Sequence, residues 1–321
     1  MSLLGYLRWI TFSLFLFTSP TAFSTTITDS LGNPFTLDTP PQRIVTLEYA
    51  FADALAAIDL SPVGIADDND PLNLHPAVVA KLQGWVSVGD RATPNLEKIT
   101  ALKPDLIIAD VNRHQAMYAA LSQIAPTVLL ASRGETYQEN LDVALKIGDI
   151  AGHSEVMQAR LLQHQNIMQG AADALSDYQG RSVLFAVASE NGLYAYSGAA
   201  YPGGVLKALK LTVPEKVGEE DRALRQLTFD DITSMDPDIL LSGHLQPDSL
   251  LNQWQQQPAW QSLKAVSSGQ LIEVDSNHWA NCRGLLASEA MANNLLQALA
   301  VTPEPPSEIL PSERDLGIEP E

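Results

Sequence analysis

Residues Glu97 to Asp110 read Glu-Lys-Ile-Thr-Ala-Leu-Lys-Pro-Asp-Leu-Ile-Ile-Ala-Asp. They can be laid over Asp230 to Gly243, Asp-Asp-Ile-Thr-Ser-Met-Asp-Pro-Asp-Ile-Leu-Leu-Ser-Gly. Ile, Thr, Pro and Asp coincide, an acid opens each stretch, and the apolar positions match throughout. Each stretch predicts a short helix closed by a proline and feeding a buried strand. Val88-Gly89 and Val217-Gly218 hold corresponding places upstream. A unit repeated at this distance demands two α/β lobes of similar build.

Around these units, strands and helices alternate, which predicts mainly parallel sheets. In the first lobe strands are expected over 44–48, 105–109 and 127–131, with helices over 51–59, 95–102, 114–124 and 136–151. In the second, strands are expected over 182–187, 238–242 and 270–274, with helices over 203–210, 228–235, 248–265 and 284–299. Between the lobes, Met157, Leu161, Met168, Ala171 and Leu175 recur at three- and four-residue steps, with His164 filling the gap. A helix over 154–176 would be about 34 Å long, a single stiff bridge with a ligand cleft between the lobes it joins.

The ends are of another kind. Arg8 is the only charge before Asp29, residues 9–17 are almost wholly apolar, and Ser19-Pro20 breaks the run. That run is too short to span a bilayer, and Ala22-Phe23-Ser24 offers small residues for a signal peptidase. Residues 1–24 are therefore expected to be a cleaved signal peptide, with no cysteine after it to take a lipid. Residues 301–321 carry five prolines and six acids without apolar periodicity, which predicts a disordered acidic tail. The expected division is thus 25–152 for the first lobe, 153–178 for the bridging helix and 179–300 for the second lobe.

Lys and Arg number 19 against 38 Asp and Glu, a net charge of −19, so nucleic acid is a poor partner. Against that background the placement of arginines is informative. Ligands of open α/β sheets lie beyond the carboxyl ends of the strands. Arg113 and Arg133 each follow a strand, and Arg91 follows Val88-Gly89, whereas Arg43 precedes a strand and belongs at the far edge. Three fixed guanidiniums on one rim suit a polycarboxylate anion, although loop arginines paired with nearby acids would look the same. The second lobe should face them with Tyr194, Tyr196, an exposed Tyr201, His244, His278, Trp279 and Arg283. The single cysteine, Cys282, is expected to be a small buried residue. The six histidines make no HxH, HxxxH or HExxH spacing, and neither a P-loop nor a GxSxG elbow occurs.

The chain resembles the periplasmic substrate-binding proteins of bacterial iron-siderophore and cobalamin ABC importers over about residues 35–300. The resemblance rests on Pro41 to Leu47, Gly89 to Glu97, Leu102 to Ile108, Ile124-Ala125-Pro126 and Pro237 to Leu241. Within the family it is most similar to the ferric-citrate-binding members, through Leu47 to Leu55, Gly64 to Asp70, Ser87 to Arg91, Arg113-His114, Ser132 to Tyr137 and Val274 to Gly284. It departs from them at Asn281 and after His244, where those members carry further arginines.

The resemblance implies a non-enzymatic protein without a cofactor that captures an anionic Fe(III)–carboxylate chelate, ferric citrate first among them. Arg91, Arg113, Arg133 and Arg283 would neutralise the carboxylates, and Tyr49, Tyr201 and Trp279 would pack the exposed edges. No side chain need ligate the iron. Glu97 and Asp230 would dock onto the permease subunits of an inner-membrane ABC importer, the protein itself being a periplasmic monomer. Haem or cobalamin as ligand, or a metal-chelate-processing enzyme on a two-lobe fold, are the alternatives.

Overall fold

The computed structural model describes residues 24–217, 224–244 and 250–299. The expected signal peptide, apart from Ser24, and the expected acidic tail lie outside the described residues, as does Gly218 of the second Val-Gly pair. The chain opens with an antiparallel hairpin of β1 (Thr25–Thr28) and β2 (Pro34–Leu37). The first sheet holds β3 (Ile44–Thr46), β4 (Gly64–Ile65), β5 (Val86–Ser87), β6 (Leu106–Asp110) and β7 (Thr127–Leu130), all parallel, in the order β5-β4-β3-β6-β7. The second holds β8 (Val183–Ala188), β9 (Leu193–Tyr196), β10 (Leu224–Leu227), β11 (Ile239–His244) and β12 (Leu271–Val274), in the order β10-β9-β8-β11-β12.

The two orders superpose strand for strand. The difference is that β9 returns antiparallel in a hairpin from β8, where β4 is reached by a helical crossover. Because β10 is antiparallel to β9 in turn, it runs in the direction of β8. The repeated unit therefore occupies the same place twice, as helix Leu96–Ala101 before β6 and helix Phe229–Met235 before β11. Each helix ends at a residue with left-handed backbone, Lys103 at φ 48° and Asp236 at φ 42°, immediately before its proline. The repeat thus encodes a helix stop as well as a strand. Strand β6 is buried along its whole length, as suits a strand covered on both faces.

The bridge runs over Ser154–Ala174, 21 residues and about 31 Å. Met157 packs in the first lobe's core, while Met168 and Ala171 pack in the second's. His164 fills its gap through polar contacts. Its Nδ1 donates to Glu289 at 2.7 Å and its Nε2 accepts the Tyr137 hydroxyl at 2.6 Å. Arg160 completes the node at 2.8 Å from Glu289. Burial opposes ionisation of Glu289, but the bonds from His164 and Arg160 hold its carboxyl below the usual range.

A second helix also crosses the boundary. In Leu285–Ala298, Leu285, Leu286 and Ala287 belong to the first lobe's core, while Met291, Ala292 and Leu295 belong to the second's. The lobes are joined covalently by one helix but braced by two that run the same way. The second brace is pinned by Asp53, whose carboxyl accepts the Leu286 and Ala287 N–H groups at 3.1 and 2.9 Å.

The brace leaves no room before its first turn. Gly284 sits at φ +133°, and a Cβ there would fall inside the Asp53 carboxyl group. Gly134 has φ +81° with open space around it. Urea unfolding should therefore show Gly284→Ala losing about 3 kcal/mol or more, strain and overpacking together. Gly134→Ala, carrying the backbone strain alone, should lose about 1 kcal/mol. Equal losses would mean that the Asp53 contact places no demand on Gly284.

Candidate functional site

All five strands of the first sheet deliver their following loops to one rim, and those loops are sewn together by buried acids. After β4, the Asp68 carboxylate accepts the Tyr49 hydroxyl at 2.8 Å, the Arg91 backbone N–H at 2.7 Å and the Arg91 guanidinium through Nε at 2.9 Å and Nη2 at 2.8 Å. After β6, the Asp110 carboxylate accepts the N–H groups of Arg113, Ser132 and Arg133 at 2.7, 2.8 and 3.0 Å. His114 accepts the Asp110 N–H at Nδ1 and donates from Nε2 to the Arg91 carbonyl at 2.7 Å. Burial keeps this imidazole below its usual pKa, so it serves as a neutral tie between the β5 and β6 loops.

Three of the four arginines expected at the cleft, Arg91, Arg113 and Arg283, converge. Arg113 Nε lies 2.8 Å from Glu48 Oε1, and Arg91 Nη1 lies 3.8 Å from Glu48 Oε2. Arg283 reaches across from the second lobe, donating to the Ser132 carbonyl at 3.0 Å and standing 4.0 Å from Glu135. Arg133 follows Ser132 directly. It is exposed, and among the described residues its guanidinium makes no ion pair. Arg43 lies at the opposite edge, bonded to the Leu102 and Lys103 carbonyls before β6.

The acids at this rim are the residues that sequence spacing did not single out. Burial pushes the Glu48 carboxyl up to about 7 against the pull of Arg113 and Arg91. Burial likewise raises Glu135 well above the carboxylate range, with Arg283 and the Asn140 amide working the other way. Glu135 Oε2 has no hydrogen-bond partner. Asp68 behaves oppositely. Burial raises it, but its bonds from Arg91 outweigh that and hold it ionised. Each of these acids comes from a different loop, so no local motif could have paired it with its arginine. The one available signal was Glu48 lying directly after a buried apolar strand.

The aromatic expectations need correction. Tyr201 is 1 % exposed, not open to solvent: it starts helix Tyr201–Ala208, and its hydroxyl is tied to Gly284 O and N at 2.7 and 2.9 Å. Trp279 is also 1 % exposed, packed beside Phe185 with ring centroids 5.3 Å apart and its Nε1 unpartnered. Tyr49 is buried with the Arg91 guanidinium 3.7 Å above its ring. Arg283 lies 5.7 Å from the Tyr201 ring. Tyr49 and Tyr201 therefore back the guanidiniums instead of standing at the cleft mouth. Tyr194 and Tyr196 lie in the β8–β9 hairpin, with Tyr196 stacked on Phe185. Cys282 is buried as expected, and burial pushes its thiol up to about 12.

Glu97 and Asp230 are both exposed and each is the second residue of its helix. Neither is needed as a cap. Asn95 accepts the Lys98 N–H in the first lobe, and Thr228 with Asp231 forms a capping box in the second. Since β5 and β10 run toward the cleft rim, both carboxylates lie on that side of the molecule.

Residues 44–278 match the periplasmic binding protein family. The Fe(3+) dicitrate-binding periplasmic protein FecB of Escherichia coli K12 is 44% identical over 90% of this chain and 95% of its own length. The Fe(3+)-citrate-binding protein YfmC of Bacillus subtilis is 34% identical over 82% of each. Among solved structures, Staphylococcus aureus SirA complexed with staphyloferrin B superposes with a TM-score of 0.75 at 21% identity, covering 87% of this chain and 99% of that one. With the two-lobe α/β fold, the paired sheets and these matches in hand, the chain belongs to the periplasmic binding protein family.

Proposed function

We propose that this protein captures an anionic Fe(III)–carboxylate chelate, ferric citrate in the first place, and hands it to the permease of an ABC importer. It acts in the periplasm after loss of residues 1–24 and without a lipid anchor. It binds and releases, catalysing nothing. The observation that carries this is the convergence of Arg91, Arg113 and Arg283, from both lobes, on one rim around Glu48 and Ser132, with Arg133 exposed directly after Ser132. Guanidiniums fixed in this way recognise carboxylates through charge-assisted pairs. The two curated relatives named above carry ferric citrate in their names, which supports the same ligand here. Among the described residues no three His, Cys, Asp or Glu side chains are grouped to hold a metal ion. Recognition would act through the chelator, whose own oxygens surround the iron. The lobes of this capture device are 25–152 and 179–300, with 153–178 as the bridge. Haem finds less support, because the tyrosine that could have ligated its iron, Tyr201, is buried and bonded to Gly284.

A tryptophan-fluorescence panel of ferric citrate, a ferric hydroxamate, a ferric catecholate and haemin tests the ligand class. Ferric citrate should bind tightest, and preference for the hydroxamate or haemin would overturn the proposal. Arg133→Ala removes a guanidinium that supports no other group. It should weaken ferric citrate about ten- to a hundredfold, the loss of one charge-assisted bond, with an unchanged unfolding midpoint. Calorimetric titration reads the first effect and urea unfolding the second.

Delivery is separable from capture. Glu97 and Asp230 occupy one position in two copies of the same unit, and neither contributes to capping its helix. A pseudo-symmetric permease with one basic residue for each fits this arrangement. The double variant Glu97→Ala, Asp230→Ala should keep its affinity for ferric citrate and lose vesicle uptake through the cognate importer. Uptake at the wild-type level would leave these carboxylates as helix-start residues worth about 0.3–1 kcal/mol each.

A further inference from the structure

Among the described residues, each guanidinium at the cleft floor is held by an acid or a carbonyl. Arg113 is held by Glu48 and Arg91 by Asp68, while Arg283 leans on Glu135 and the Ser132 carbonyl. Asp68 is fully engaged, with three donors from Arg91 and one from Tyr49, and belongs to the frame. Glu48 and Glu135 differ. Both are almost wholly buried, Glu48 meets Arg113 with no other donor to its Oε1, and Glu135 keeps one oxygen with no donor at all. A buried carboxylate without donors depends on its neighbouring cation to stay ionised.

We propose that Glu48 is an exchangeable counter-ion: it stands in for ligand against the Arg113 guanidinium in the empty protein, and it takes one proton from solvent when an anionic chelate captures that guanidinium. The proposal rests on the anionic-cleft function above and specifies its linkage to protons. The groups facing Glu48 are Arg113, Arg91 and Arg283, which favour its charge, and Asp110, which opposes it. Burial dominates at Glu135 and raises it well above the carboxylate range, with Arg283 and Asn140 favouring charge and Asp110 and Glu48 opposing it, so it belongs to the frame. A polycarboxylate set among these arginines adds negative charge beside Glu48 and cancels the fields that held it ionised. Neutralisation by a proton then replaces neutralisation by arginine, and a protonated carboxyl can donate a hydrogen bond where its carboxylate would repel. The proton count rises on binding with no other change in covalent structure.

The sign follows from linkage. A group whose pKa is raised by binding takes up a proton, so affinity falls as pH rises through the interval between its free and bound values. For Glu48 that interval begins at about 7. Affinity should be nearly flat in pH below it and should weaken by up to about tenfold per pH unit above it for each proton taken up.

Calorimetry of ferric citrate binding at pH 8, in two buffers of different ionisation enthalpy, counts these protons. Comparing wild type with Glu48→Gln and Glu135→Gln removes the chelate's own protonation, which is common to all three. Glu48→Gln should take up about one proton fewer than wild type and lose the weakening above pH 7, whereas Glu135→Gln, which removes a carboxyl that burial already favours as neutral, should take up as many protons as wild type. Should a glutamine variant fail to fold, carbon NMR of wild-type protein labelled at the glutamate carboxyls gives the same answer with gallium(III) citrate as a diamagnetic probe. One buried carboxyl resonance should move to the protonated position on binding. Equal proton uptake in all three proteins, or carboxyl resonances that stay ionised, would overturn the counter-ion assignment while leaving the capture function intact. A wild-type protein that binds no ferric citrate would overturn both.

Discussion

The Asp68–Arg91 pair is the contact on which the geometry of the first lobe's rim depends. The loops after β3, β4 and β5 share few ladder hydrogen bonds, because β4 and β5 are two residues long. What fixes them is one carboxylate taking the backbone and side chain of Arg91 together with the Tyr49 hydroxyl. The Arg91 carbonyl then receives His114, which ties in the β6 loop, and Asp110 extends the chain of bonds to Ser132 and Arg133. Burial works against the charge of Arg91, yet the hydrogen bonds it donates to Asp68 and the neighbouring Tyr49 and Glu48 hold it firmly protonated. Ion pairs at an exposed surface contribute little, but here Arg91 is buried and Asp68 half-buried, and removing the acid takes from a buried guanidinium its nearest carboxylate. The acids and arginines of the rim form one electrostatic unit.

That unit is only useful if the second lobe is held at a fixed distance from it, and here the two bracing helices matter. Both start in the first core and end in the second, so a change in lobe angle must disturb packing along each. Further contacts close the same boundary near the cleft. Asn277 and Cys282 both donate to the Asn73 carbonyl, at 2.9 and 3.3 Å, and His75 lies against His278 with ring centroids 4.7 Å apart. Packed interfaces have discrete arrangements and resist continuous deformation, so small shifts are favoured over wide opening. A nearly fixed separation between Glu97 and Asp230 suits recognition by a partner that must meet both at once.

The fold was legible wherever the sequence carried length or repetition. The 97–110 and 230–243 units gave helix, stop and strand in both lobes, and the apolar spacing from Met157 to Leu175 gave the bridge. Strands β4, β5 and β10 were not legible. Two residues such as Gly64 and Ile65 cannot display an alternation, and β10 is exposed along Leu224, Arg225 and Gln226. The hairpin of β1 and β2 escaped notice for a similar reason. For the site, strand ends correctly located the arginines, because their loops follow from topology. Their carboxylate partners did not follow, since Glu48 with Arg113 and Glu135 with Arg283 join residues 65 and 148 positions apart. Tyr201 was misplaced because a proline after a run of small residues resembles an open loop. In the structure that proline opens a helix, and the tyrosine is its buried first residue.

The overall acidity and the basic rim are compatible because they act over different ranges. At about 0.15 M ionic strength the Debye length is about 8 Å, so most of the net charge of −19 is screened from an approaching anion. Long-range steering therefore contributes little to capture, and the decisive fields are those within the cleft. There the dielectric is low and the guanidiniums are already oriented, backed by Tyr49 and Tyr201 and held by acids, one of which an incoming carboxylate can replace. Preorganisation of this kind has a cost in the empty state, which is the burial of Glu48 and Glu135. It is also what allows an anion to be exchanged for an internal counter-ion without rebuilding the site. A cleft that holds its own replaceable carboxylate can bind a multiply charged chelate and return, on release, to an arrangement that needs no free ion to stabilise it.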